Sequence, residues 1–254
     1  MFKIDLTELF PLLSRAPIIE AVIGVTARAE SVWEESAISD QFKQRLPEYP
    51  SVQTHREVRY EFKHAADAQP EQAVHDMGWR GLRCESADKL HIVQFNRDGF
   101  SFSRLKPYQS WGQFHQEGMR LWELYNEVAQ SAEIQRLGLR FINRIEFSPV
   151  EVKLENLLEN PPKTPRGMRI PFEGFLQHNT FSVPGYPYGI NLIQTVQPAQ
   201  GSDDSRGVIL DIDVFTTKPI TDQDLIGQHL TNMRWLKNKV FFGSITTQTL
   251  ELLK

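Results

Sequence analysis

In the stretch RLGLRFINRIEF, arginine stands at every fourth position, the spacing of one face of a β-strand. Arg136, Arg140 and Arg144 share that face with Glu146, while Leu137, Leu139, Phe141, Ile145 and Phe147 line the other. A row of guanidinium groups can grip phosphate or carboxylate bidentately, or it can be the salt-bridged side of a half-buried sheet. Arg104 and Arg59, from neighbouring strands, are candidates to extend an anion site. In GVILDIDVF, Asp211 and Asp213 point away from the apolar row Val208, Leu210, Ile212 and Val214. If the two strands are neighbours, cross-strand pairs are the simplest use of Arg140 and Arg144, each exposed pair contributing about 0–1 kcal/mol. The spacing Asp211-x-Asp213, joined by Glu20, is also that of carboxylates holding a divalent cation in phosphoryl or glycosyl transfer, although any half-exposed strand with two acids has the same spelling. Asn143 falls among apolar neighbours, where its amide needs a partner, and a bond to an adjacent strand or loop is expected.

A second constellation lies in SRLKPYQSWGQF, residues 103–114. Tyr108 and Trp111 flank a strand-to-helix turn beside Arg104 and Lys106, an aromatic and basic corner that could bind a partner or a base, or simply anchor the helix. The binding candidates are therefore Arg140, Arg144, Tyr108, Trp111 and Arg104. No catalytic set emerges: the seven histidines lack ligand spacing, and phosphate-binding glycine loops and nucleophile elbows are missing. Cys84 sits in a predicted strand, where core packing is the default. No cofactor is implied, and Glu20, Asp211 and Asp213 are the only metal candidates.

The elements that would position these residues follow from hydrophobic periodicity. PIIEAVIGVTA reads as a strand, followed by a helix between Ser31 and Pro47, then strands in VQTHREVRYEF, GLRCES, LHIVQF and FSFSRL. Trp111, Phe114, Gly118, Leu121, Trp122, Tyr125 and Val128 recur at helical spacing. The order then repeats: the arginine strand, a short helix in EVKLENLLEN, strands in FLQHNTFSV, YGINLIQTV and GVILDIDVF, and a helix over about Thr221 to Lys239. The expected fold is α+β, with two pseudo-equivalent β-α-β-β-β-α halves, residues 1–133 and 134–254, forming one curved antiparallel sheet with the long helices on one face. Residues 64–77, 160–167 and 197–207 read as loops.

The chain's 254 residues, 40% hydrophobic, can bury a large core, and a net charge of −4 supplies no global field for nucleic acid. One cysteine excludes an internal disulfide, and the N-terminus, interrupted by Asp5, Glu8 and Pro11, does not read as a signal peptide. A soluble, cytoplasmic protein is expected.

The segments PIIEAVIGV, SRLKPYQSWGQF, RLGLRFINRIEF and FFGSIT resemble the landmarks of a sporadically distributed bacterial and archaeal family of proteins of similar length, in which the position of Phe141 is usually tyrosine or phenylalanine. The family has no established activity, so the resemblance implies no catalytic residues. Its patchy distribution implies an accessory role, with defence and toxin control as common contexts. The leading expectation is a non-enzymatic protein that binds a protein partner, with homo-oligomerisation open. One alternative is nucleotide or single-stranded nucleic-acid binding on the arginine face, and another is metal-dependent phosphoryl or glycosyl chemistry at Asp211 and Asp213.

Overall fold

The computed structural model describes residues 2–63, 71–131, 133–147, 153–167, 170, 174–197 and 206–254, with side chains left out for 58–63 and 71–76. Its strands are β1 (Ile18–Thr26), β2 (Ser51–Lys63), β3 (Glu71–Glu85), β4 (His91–Asn96), β5 (Gly99–Leu105), β6 (Arg136–Phe147), β7 (Leu176–Ser182), β8 (Tyr188–Gln197) and β9 (Arg206–Thr216). They form one antiparallel sheet of nine strands in the order β2-β3-β4-β5-β1-β6-β9-β8-β7. The helices are α1 (Glu35–Arg45), α2 (Trp111–Ala129), α3 (Leu154–Leu157), α4 (Ile226–Ser244) and α5 (Thr247–Leu253). The α+β expectation therefore holds.

Alternation explains which face each strand buries. The first strand, β1, is central, paired to β5 on one side and β6 on the other, and Ala21, Ile23 and Val25 turn to the helices. Phe100 and Phe102 of β5 and Leu137, Leu139 and Phe141 of β6 continue that buried row. Ser110 caps α2, its hydroxyl accepting from the Gln113 N–H, and the helix buries Phe114, Leu121, Trp122 and Tyr125. It approaches the sheet closely at Gly118, where a Cβ would come within 2.5 Å of Ile23. The Tyr125 hydroxyl donates to the carbonyls of Ala27 or Asn96, both within 3.1 Å, and ties α2 to the strand ends. Tyr188 does the same for α4, lying 2.8 Å from His229 Nδ1 and accepting from Asn232.

Three boundaries differ from the sequence reading. Residues 71–77, read as loop, extend β3, because pairing with β2 continues to Lys63↔Glu71 and overrides weak strand propensity; the rest of that loop, 64–70, lies outside the described residues. The last long helix starts later and ends later than expected, with a single 3-10 turn at Gln223–Leu225 before it and Val240–Ser244 within it. Burial of Phe241 against the core carries the helix past Lys239. Most of the 197–207 loop is also outside the described residues.

Candidate functional site

The arginine strand lies beside the aspartate strand, and the register explains how the charges match. Arg140 is directly opposite Asp213 but bonds diagonally to Asp211, with Nε to Oδ1 at 2.7 Å and Nη2 to Oδ2 at 2.5 Å. Arg136 reaches further along β9 to Asp213 at 2.7 Å and lies over the Phe215 ring. The bidentate bond to Asp211 raises the Arg140 pKa, while burial pushes the Asp213 carboxyl up against the pull of Arg136. Arg144 is largely buried and donates to Gln197 Oε1 at 2.6 Å, with Glu146 3.7 Å away.

The metal candidates Glu20, Asp211 and Asp213 do share this open face, since Glu20 pairs with Ile142 and interacts electrostatically with Arg140. Each aspartate is nevertheless occupied by a guanidinium, and among the described residues no group of three or more His, Cys, Asp or Glu is arranged to hold a metal ion.

Arg104 does not join the arginine row. It has the parity of Phe100 and Phe102, so it points to the helix side, 4% exposed, donating from Nη2 to the Pro107 carbonyl while Nη1 has no partner. The side chain of Arg59 is outside those described. Asn143 is also buried on the helix side, and its Nδ2 donates to the Leu210 carbonyl at 2.9 Å, the cross-strand bond expected. Cys84 is buried, which pushes its thiol up to about 11 and away from the thiolate form.

Tyr108 and Trp111 stand elsewhere, at the mouth of a cleft of about 660 Å³ on the helix side. One wall is the N-terminal segment, with Leu9, Phe10 and Leu13; the opposite wall is α4, with Trp235, Phe241 and Phe242. Phe10 stacks on Phe242 at 5.5 Å, and Lys239 bonds Glu8 at 2.5 Å, so the segment is fastened across α4. Tyr108 packs edge-on against Phe114 and Phe141, and burial raises its phenol pKa. Its hydroxyl has no hydrogen-bond partner among the described residues, and Asn143 reaches the floor of the same cleft.

Sequence reasoning missed the two cations that complete this site. Arg234 and Lys237 sit three residues apart on α4 and both line the cleft. Arg234 lies over the Trp111 ring at 5.3 Å and the Lys237 amine over the Phe141 ring at 4.1 Å. Neither is ion-paired to a described residue. Burial, helped by the neighbouring Arg234, pushes the Lys237 amine down to about 7. A signal for this was present: α4 carries Arg234, Lys237 and Lys239 but no acidic residue in IGQHLTNMRWLKNKVFFGS, unlike α2, where Glu117 holds Arg120 at 2.8 Å.

The arrangement thus has two electrostatically different regions. On the open sheet face, Arg136 and Arg140 are each paired with an aspartate. In the cleft, a fixed charge at Arg234 and a titrating one at Lys237 face aromatic walls with a hydroxyl donor at Tyr108, while the Asn143 amide N–H groups are taken by the Leu210 and Phe141 carbonyls. Comparison with protein-family models, curated proteins and solved structures finds no match to this chain.

Proposed function

We propose that the chain is a non-enzymatic binding protein whose helix-side cleft takes a small ligand carrying a carboxylate, phosphate or similar anionic group. The observation that carries this reading is the contrast between Arg234 and Lys237, which have no anionic partner among the described residues, and Arg136 and Arg140, which do. Arg234 supplies permanent charge, the rings of Trp111, Phe241 and Phe242 bury the ligand's apolar part, and the Tyr108 hydroxyl orients it. A volume of about 660 Å³ is within the range of small-molecule pockets. The four segments by which the chain resembles the sporadic bacterial and archaeal family all contribute here, through Ile18, Tyr108, Asn143 and Phe241. An accessory role in a defence or toxin-control module rests on that resemblance, and a cytoplasmic location on the single cysteine and the N-terminal sequence. The same proposal takes the sheet as two halves, 1–133 and 134–254, meeting where β1 pairs with β6.

A thermal-shift screen against phosphate, nucleotides, aliphatic and aromatic carboxylates, oligonucleotides and divalent metals tests it. The expected result is a stabilising carboxylate or phosphate whose effect disappears in Arg234→Ala and persists in Arg140→Gln. Stabilisation by oligonucleotides or metals that depends instead on Arg140 would overturn it.

A second reading, recognition of a protein partner, draws on a different observation. Leu9 and Leu12, on the N-terminal segment, are 92% and 93% exposed. A partner seated there would cover the outer lip of the cleft, and its capture would be lost in Leu9→Ser plus Leu12→Ser.

A further inference from the structure

From the placement of Lys237 we infer a reactive amine: the cleft takes an anionic aldehyde or ketone, and Lys237 joins it reversibly as an imine. This rests on the anion-binding reading above and adds the chemical class of the ligand. The geometric case begins with what the amine lacks. Lys237 has no ion pair and no hydrogen bond to a described residue, and its amine lies over the face of Phe141 at 4.1 Å. Other lysines without an ion pair to a described residue, such as Lys43, Lys89 and Lys218, are exposed, whereas Lys237 is partly buried in the cleft. A lysine paired with no carboxylate among the described residues, the cleft's Glu8 being held by Lys239, and set beside a second cation is the arrangement that leaves an amine free to act as a nucleophile.

The cleft also holds the groups such chemistry needs. Arg234, one turn before Lys237, is placed to take the ligand's anionic group, which sets the reacting carbonyl near the amine. Tyr108, whose phenol is held protonated by burial, is a donor for the carbonyl oxygen. The low amine pKa agrees with this geometry. The step balances without an added reactant: the neutral amine's lone pair attacks the carbonyl carbon, a proton moves to the oxygen to give the carbinolamine, and loss of water forms the C=N bond. Hydrolysis reverses it, and nothing is oxidised or reduced.

Reductive trapping tests the inference. The full chain is incubated at pH 7 with glyoxylate, or with acetaldehyde as its neutral counterpart, in the presence of cyanoborohydride, and modified lysines are mapped by peptide mass. Lys237 is expected to be alkylated at least ~10-fold faster than the exposed lysines, as follows from its larger neutral fraction tempered by lower intrinsic nucleophilicity. Glyoxylate is expected to outpace acetaldehyde at Lys237 in the parent and to lose that advantage in Arg234→Ala, which keeps the amine. Selective labelling by both aldehydes without a glyoxylate preference supports the reactive amine and removes the anionic half of the ligand class. Labelling spread evenly over the lysines, or none at Lys237 in a folded protein, overturns the inference, while the thermal-shift screen with non-carbonyl anions judges the binding reading independently.

Discussion

Replacing Lys237 by methionine should remove a pH-dependent penalty on folding whose size follows from the structure. Methionine keeps an unbranched chain of similar length in the wall of the cleft while deleting the amine. The lysine pKa falls from its ordinary 10.5 to about 7 on folding, so between those values the unfolded chain binds more protons than the folded one. Stability therefore rises with pH across this window, and the destabilisation by Lys237 is complete below pH 7 and relieved as pH approaches 10.5. At 1.36 kcal/mol per unit, the difference between pH 6 and pH 9 is about 2.6 kcal/mol. Phe141, whose ring face favours the ammonium, opposes the shift and makes about 1–2.5 kcal/mol the expected range. The assay is urea unfolding of parent and Lys237→Met at both pH values, because groups unrelated to Lys237 cancel in the difference between the proteins. The variant's stability relative to the parent should fall by that amount from pH 6 to pH 9. A relative stability independent of pH would refute the claim that the amine is buried and unpaired.

Other perturbations separate structure from ligand recognition. Arg140→Ala leaves Asp211, 10% exposed at its side chain, without its bidentate partner, and should cost about 1–3 kcal/mol in denaturant unfolding; a double-mutant cycle with Asp211→Ala should recover most of that loss, and additive losses would deny the pairing. Gly81→Ala drives a Cβ to within 2.2 Å of the Phe95 carbonyl oxygen and 2.7 Å of Asn96 Cα, both backbone atoms of β4, so a loss of about 2 kcal/mol or more is expected. An unchanged unfolding midpoint would mean that β3 and β4 are not in this register. Asn143→Ala removes the bond to the Leu210 carbonyl and should cost about 1–2 kcal/mol, read in the same experiment.

Local pattern carried most of the fold into view. Strict alternation in β6 and β9 identified both faces of the sheet's centre, and the same alternation singled out Asn143 as needing a cross-strand partner. The pairing of Arg140 with an aspartate of the next strand was legible, but the diagonal choice of Asp211 over Asp213 was not, because it depends on register and twist. Arg104 was assigned to the wrong side for a related reason. Its charge suggested an exposed face, whereas its parity with Phe100 and Phe102 sets it inward, with Pro107 as partner. The cleft was illegible as a whole, since its walls come from residues 6–18, the start of α2, one residue of β6 and about three turns of α4. What could be read was the absence of acids along α4, which left Arg234 and Lys237 without local neutralisation. Among the described residues no helix is long and apolar enough to cross a membrane, in line with the sequence reading.

The central claim is that anionic ligands enter the cleft rather than the arginine face. Fluorescence titration with 8-anilinonaphthalene-1-sulfonate tests it most directly, because that probe pairs an anionic sulfonate with aromatic rings suited to Trp111, Phe241 and Phe242. Saturable binding at one site, weakened at least ~10-fold in Arg234→Ala, as the loss of one charge-assisted contact implies, and unchanged in Arg140→Gln is the predicted result. Binding that survives Arg234→Ala and is lost in Arg140→Gln, with both variants folded, would contradict it and return the arginine strand to the role of ligand site.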